Sequence, residues 1–215
     1  MLFPNRHAAG KQLAEKLQKY KSLPDVIVLA IPRGGLEVGY ELAISLHVPL
    51  DIVVTKKIPA PNNEELAIGA VAYGKEVVLY EDLVQMYHIE DDYINRHVDR
   101  LHELIEQRYA DYHNTKKPTF PNLQGKVVIL TDDGIATGYT MMAAIHFIQK
   151  QEPAELIVAV PVSAKETADT IRSMVDELIV LHIPLSFMAV GQFYKDFPQV
   201  DDAQAKQYLK RANTE

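Results

Sequence analysis

Val127–Thr140 reads V-V-I-L-T-D-D-G-I-A-T-G-Y-T, and the rest of the chain is arranged around it. Val127, Val128, Ile129 and Leu130 form a short β-branched apolar run, which suits a buried central strand better than a strand with one face in water. Asp132 and Asp133 follow where that strand should leave the sheet. In an open parallel sheet, ligands bind at the carboxyl ends of the strands, so acids placed there carry more meaning than acids on a helix face. Gly134 and Gly138 bracket a tight turn. Met141, Met142, Ile145 and Ile148 then recur at helical spacing. The turn therefore presents backbone N–H groups at a helix start, which suits an anion such as phosphate. Carboxylates for a diol beside amides for a phosphate match ribose 5-phosphate. A P-loop is excluded because no G-x-x-x-x-G-K-[ST] occurs, and T-D-D departs from the D-x-D of haloacid-dehalogenase-like phosphatases.

The chain has 215 residues, 47% hydrophobic and 24% charged, which fits one α/β domain with a sizeable core. It has no cysteine, so disulfides, thiolate metal sites and thiol nucleophiles are ruled out. The net charge of −7 has the wrong sign for gripping nucleic acid by its phosphates. No apolar stretch has membrane-spanning length, and M-L-F-P-N-R-H lacks the apolar core of a signal peptide. The cytoplasm is the expected compartment, with neither membrane nor nucleic acid as partner.

Upstream, Asn5 predicts a helix N-cap, with Ala9, Leu13, Leu17 and Tyr20 following at helical spacing; this first helix is expected to serve packing alone. Val26–Ile31 reads as a buried strand ending in P-R-G-G, Pro32 to Gly35. Leu36, Tyr40, Ala43 and Leu46 then resume helical spacing, so strand, glycine turn and helix form half a βαβ unit. Glycines there let the backbone approach an anion, and Arg33 adds a fixed positive charge. Leu50–Thr55 predicts a second strand, followed by Lys56 and Lys57. I-P-A-P-N-N-E-E then reads as a loop, and Leu66–Tyr73 and Glu76–Tyr80 as a hairpin joined at Gly74-Lys75. Glu90–His113 is the longest helical segment, with Ile94, Val98, Leu101 and Ile105 on one face. His88, His97, His102 and His113 lie in or beside it without metal-binding i, i+4 pairing. Leu156–Val160 and Leu178–Leu181 predict two more strands, with Ser163 and Glu166 as a capping box between them. Alternating strands and helices predict an α/β fold with a largely parallel sheet covered on both faces, plus a small hood and an inserted hairpin or flexible lid loop. The expected organisation is a single domain over residues 1–215, with the insertion at about 56–80 and the hood at about 183–215.

An apolar strand, two acids, two variable residues and A-T-G-x-T resemble the phosphoribosyl-pyrophosphate signature of the type I phosphoribosyltransferases, and R-G-G is similar to that family's [RK]-G-G pyrophosphate loop. The resemblance implies that Asp132 and Asp133 bind the ribose 2′ and 3′ hydroxyls, and that Ala136, Thr137, Gly138, Tyr139 and Thr140 bind the 5′-phosphate. It assigns the pyrophosphate to Arg33, Gly34 and Gly35, after a peptide bond, Pro32–Arg33, that is often cis in the family. Lys56 or Lys57 would reach the ligand from a lid that closes over it, and Arg33, Asp132 and Asp133 carry the catalytic assignment. Tyr139 departs from the second Gly or Lys that many members carry. Phe187, Val190 and Gly191 resemble the F-x-x-V-G hood of hypoxanthine-type enzymes and would border the acceptor, although their packing in a core is an equal expectation. Ala136 stands where 6-oxopurine enzymes have an Asp, and no Lys lies between Lys165 and Lys195. Hypoxanthine and guanine are therefore poor acceptors to expect.

The implied activity is Mg²⁺-dependent transfer of a 5-phosphoribosyl group from phosphoribosyl pyrophosphate to a nitrogenous acceptor such as a nucleobase. No direct protein ligand to the metal is expected, Asp132 and Asp133 acting indirectly, and a homodimer is the expected assembly. The alternatives are a regulator that senses phosphoribosyl pyrophosphate or a nucleotide without turnover, and another phosphoribosyl chemistry on the same site.

Overall fold

A computed structural model describes residues 2–61, 63–116 and 118–214. In chain order the elements are α1 (Arg6–Lys16), β1 (Val26–Ala30), α2 (Gly34–Leu46), β2 (Leu50–Ile52), β3 (Thr55–Ala60), β4 (Asn63–Ala72), β5 (Glu76–Leu79), α3 (Glu81–Met86), α4 (Asp91–Tyr112), β6 (Val127–Thr131), α5 (Tyr139–Gln149), β7 (Glu155–Val162), α6 (Lys165–Arg172), β8 (Glu177–His182) and α7 (Asp202–Ala212). They fall into two compact units. One takes in Met1–Ile52, Phe120–Gly138 and Gln151–Glu215; the other takes in Val53–Thr119 and Tyr139–Lys150.

The first unit holds a five-stranded parallel sheet in the order β2-β1-β6-β7-β8. Every residue of β1 is buried, as a strand covered on both faces requires. β6 lies between β1 and β7, with Val26 opposite Val127 and Ala30 opposite Thr131. Because β2 lies on one side of β1 and β6 on the other, the chain changes direction between β1 and β6. Their carboxyl ends, Ile31–Gly35 and Asp132–Gly138, flank that switch point, where open α/β sheets bind ligands. Asn5 caps α1, its side chain accepting from the Ala8 N–H.

Three local expectations need correction. The second strand stops at Ile52; Val53 and Val54 are buried as the chain passes to the other unit, so the apolar run outlasts the strand. Ser163 and Glu166 form no capping box: the α6 N-cap is Ala164, without a side-chain cap, and the Ser163 hydroxyl donates to the Ala164 carbonyl. The capping box instead opens α7, where Asp201 and Gln204 bond reciprocally. Finally, Thr55–Ala60, read in part as loop, is a strand with Ile58 and Ala60 buried. Register shifts on both sides of Pro59 accommodate its missing N–H.

The second unit holds an antiparallel sheet, β3-β4-β5, which is the inserted hairpin extended by one strand. Asn62, inside the expected lid loop, lies outside the described residues. Gly74 takes φ +73° in the turn before β5. α4 buries Ile94, Ile105, Tyr109 and Tyr112, with Val98 and Leu101 half-buried on the same face, so the expected stripe continues into aromatics. Tyr73 bridges Tyr109 and Phe147 at ring separations of 5.0 and 5.6 Å. Among the described residues, no helix is long and apolar enough to cross a membrane.

In the C-terminal segment expected as a hood, α7 lies against α2, with the Arg211 guanidinium donating to the Tyr40 hydroxyl at 2.6 Å. The Asn213 amide pairs with both backbone groups of Leu50, closing the edge of β2. Ahead of it, the Phe3 N–H donates to the Phe193 carbonyl and the Lys195 N–H to the Phe3 carbonyl, each at 2.8 Å.

Candidate functional site

β6 ends on Thr131, whose buried hydroxyl donates to the Ala159 carbonyl at 2.7 Å and so satisfies itself within the sheet. The two acids come next. One oxygen of Asp132, Oδ1, accepts the Asp133 N–H at 2.8 Å. Asp133 Oδ2 accepts from Arg6 Nε, also at 2.8 Å. Burial pushes the Asp132 carboxyl well above the usual carboxylate range, and the neighbouring Asp133 charge adds to the rise. Burial also raises Asp133, with Arg6 acting in the opposite sense.

Arg6 was not singled out by the sequence, where its helix reads as packing alone. Its side chain is only 5% exposed. Besides Asp133 it meets the Pro198 carbonyl at 2.8 Å, Glu37 at 3.8 Å and the Phe197 ring, whose centroid lies 3.7 Å from Cζ. Burial raises Glu37 as well, opposed by His7 and Arg6. One signal could have revealed Arg6: it stands three and seven residues before Ala9 and Leu13, so the apolar stripe of α1 begins with a cation.

On the β1 side, the Pro32–Arg33 peptide is cis. Arg33 occupies the N-cap of α2 without capping through its side chain, leaving the first N–H groups of that helix to other partners. Its guanidinium is a third exposed and 3.9 Å from Asp202. Gly34 and Gly35 have a reason to be glycine besides anion approach. A Cβ on Gly34 would overlap Asp133 Oδ2, and one on Gly35 would stand 2.9 Å from Asp132 Oδ1. The glycine turn and the acid turn are thus in direct contact.

Gly134 is equally confined, since a Cβ there would lie 2.6 Å from Val190 and 2.8 Å from Val162. Ile135 exchanges backbone bonds with Val162 and Ala164, and the Thr167 hydroxyl donates to the Ala136 carbonyl at 2.7 Å. Ala136 and Thr137 are exposed, and Gly138 takes φ +81°, a conformation only glycine adopts readily. α5 begins at the next residue with Tyr139 and Thr140. The Tyr139 ring meets Tyr80, and burial raises its phenol above the usual range.

Lys56 and Lys57 are consecutive residues of β3, opposite Val71 and Ala70, so they project to opposite faces. Lys56 is half-buried on the face of Ile58, and Lys57 is exposed. Phe187, Val190 and Gly191 pack within the first unit: Phe187 against Phe193 at 5.2 Å, Val190 against Gly134, and Gly191 beside the Phe197 ring. Tyr194 stacks on Phe197, and its hydroxyl donates to the Asp133 carbonyl at 2.5 Å. The aromatic tail therefore supports the acid turn. Among the described residues, no three His, Cys, Asp or Glu side chains are grouped to hold a metal.

A family model described as a phosphoribosyl transferase domain matches residues 3–196. The chain is 35% identical over 212 residues to "Putative phosphoribosyl transferase Rv0571c" of Mycobacterium tuberculosis, covering 99% of this chain and 47% of that protein. It thus spans about half the length of the curated relatives it matches. It is similar to the crystal structure of TT1426 from Thermus thermophilus, with a TM-score of 0.81 and 35% identity over 98% of this chain and 99% of the other. A hypothetical protein from Neisseria gonorrhoeae shares the fold at a TM-score of 0.51 and 16% identity, over 98% of this chain and 94% of that one. With the acid turn and the glycine turn side by side in a parallel sheet, and the match running almost end to end, the chain belongs to the phosphoribosyl transferase domain family.

Proposed function

We propose that the chain transfers a 5-phosphoribosyl group from phosphoribosyl pyrophosphate to a nitrogenous acceptor, a nucleobase being the first class to consider, with release of pyrophosphate. One observation carries the reading. Two half-buried adjacent carboxylates stand at the switch point of a parallel sheet, touching a glycine turn that opens α2. Carboxylates accept from the ribose hydroxyls, and a helix start with glycines admits a phosphate chain. As the acceptor nitrogen bonds to C1, the C1–O bond to pyrophosphate breaks and its electron pair leaves with the pyrophosphate. The acceptor then gives up its proton. Arg33 stabilises the leaving charge, while Asp132 and Asp133 hold the ribose without needing to exchange a proton.

The family implies Mg²⁺, and the donor set is compatible with it. Mg²⁺ is ordinarily held by one or two carboxylates together with substrate phosphates and waters, not by an all-protein cage. Asp132 and Asp133 are the residues that would hold it, indirectly; when bound, it would neutralise the departing pyrophosphate. Ala136 and the lysine-free stretch between Lys165 and Lys195 argue against 6-oxopurines as acceptors.

The test is a screen of nucleobases and amines for pyrophosphate release from phosphoribosyl pyrophosphate with Mg²⁺. Turnover with any acceptor is the expected result. Tight binding of the donor with no turnover across the panel would favour a sensor instead.

A further inference from the structure

We propose that Arg6 is a positioning residue of the ribose clamp. Caged by Phe197 and the Pro198 carbonyl, its guanidinium holds Asp133 by Oδ2 and so orients the carboxylate, leaving the other oxygen to accept a ribose hydroxyl. This rests on the reading of Asp132 and Asp133 as diol ligands.

The argument starts from what a buried ion pair does for a fold. Exchanging such a pair for well-packed apolar side chains is often neutral or stabilising, so stability gives little reason to bury an arginine at the start of α1. A need for charge and direction at Asp133 does give one. Arg6 is held on several sides: Nε to Asp133 and one terminal nitrogen to the Pro198 carbonyl, each at 2.8 Å, with Phe197 across its plane and Glu37 at 3.8 Å. A planar guanidinium fixed in this way sets the angle of the carboxylate it meets, which a flexible ammonium cannot do.

The surroundings leave Asp133 little freedom. The glycine turn leaves no room for even a Cβ between Gly34 and Oδ2, and the Tyr194 hydroxyl holds the Asp133 carbonyl. Among the described residues, no other side chain donates to the Asp133 carboxylate. Asp132 differs, since one of its oxygens is already occupied by the Asp133 N–H. The two acids are therefore positioned by different means, Asp132 by its own turn and Asp133 by a residue 127 positions away.

Calorimetric titration of ribose 5-phosphate and of pyrophosphate tests this, using the full chain with Mg²⁺. Arg6→Gln and Asp133→Asn should each weaken ribose 5-phosphate about 10- to 100-fold, the usual effect of disturbing the support of a liganding group. The double variant should lose no more than Asp133→Asn alone, because Arg6 acts through Asp133. Pyrophosphate affinity should stay within about twofold. Should Arg6→Gln fail to fold, Arg6→Lys and Phe197→Leu carry the test: each should weaken ribose 5-phosphate and spare pyrophosphate. Equal loss for both ligands, additive losses in the double variant, or wild-type affinity in a folded Arg6 variant would overturn the role of Arg6. If the wild-type chain binds neither ribose 5-phosphate nor phosphoribosyl pyrophosphate, it is the reading of the whole site that fails.

Discussion

In Gly34→Ala the new methyl would overlap Asp133 Oδ2, 2.8 Å from Asp133 Cγ and 3.1 Å from Arg6 Nε. None of these neighbours is the loose end of a surface side chain. Overpacking a filled site costs about 1–3 kcal/mol, and breaking a buried ion pair costs about 3–5 kcal/mol when one partner is left alone. Alanine returns up to about 1 kcal/mol as a better helix former. The methyl tilts the pair without deleting it, so the net loss should be about 2–4 kcal/mol. For a chain of this length, that lowers the melting temperature by roughly 5–15 °C. Urea and thermal melts of Gly34→Ala, Asp133→Ala and the double variant form a cycle. With the carboxylate gone the methyl has nothing to strike, so the Gly34→Ala loss should shrink to about 1 kcal/mol or less in the Asp133→Ala background. A Gly34→Ala protein within about 0.5 kcal/mol of wild type, or losses that simply add, would refute the contact between the two turns.

Asp132→Asn combined with Asp133→Asn should abolish most phosphoribosyl-pyrophosphate affinity in a chain that still melts cooperatively; calorimetry showing unchanged affinity removes the diol clamp. Arg33→Ala should change stability by under about 0.5 kcal/mol, since its pairing with Asp202 is long and exposed. It should weaken phosphoribosyl pyrophosphate by a larger factor than ribose 5-phosphate, and equal factors would end its leaving-group role. Because burial raises the folded-state pKa of Asp132 above its unfolded value, the folded chain binds more protons from about pH 4 up to that raised value. The stability difference between wild type and Asp132→Asn should accordingly fall as pH rises through this window, and melts showing the opposite slope would contradict the burial. Tyr194→Phe leaves the Asp133 carbonyl without its donor and should cost about 1–3 kcal/mol in denaturant melts.

The parallel sheet and the placing of both turns were legible because buried parallel strands appear as unbroken β-branched runs, and because a glycine turn between strand and helix leaves few geometries. Val26–Ile31 and Val127–Leu130 are such runs, and the observed strands differ from each by no more than a residue at one end. The same apolar signal misled at Val53 and Val54, which are buried just past the end of β2 and not in a strand. Pro59 and Pro61 made Ile58–Ala60 look loop-like, yet a bulged antiparallel pair accepts a proline that a regular ladder would refuse. Arg6 was hidden for another reason. Its partners Asp133 and Pro198 lie 127 and 192 residues away, and no local pattern encodes such pairs. The aromatic tail showed its composition but not its direction: Val190 and Gly191 turn out to be fitted against Gly134 and Phe197.

The bridge between Phe3 and Tyr194 has a consequence for synthesis. Tyr194 follows Asp133 by 61 residues, so on a ribosome adding about 5–20 residues per second the acids emerge several seconds before the hydroxyl that braces them. A nascent chain stalled near residue 190 would display both signature turns while Arg6 still lacked Phe197 and Pro198. A ligand of the acid turn would then meet Asp133 before Arg6 is braced. Any rescue of folding by ligand should therefore begin only once Phe197 and Pro198 have emerged, and slow translation between Asp133 and Pro198 should not be offset by raising the ligand concentration.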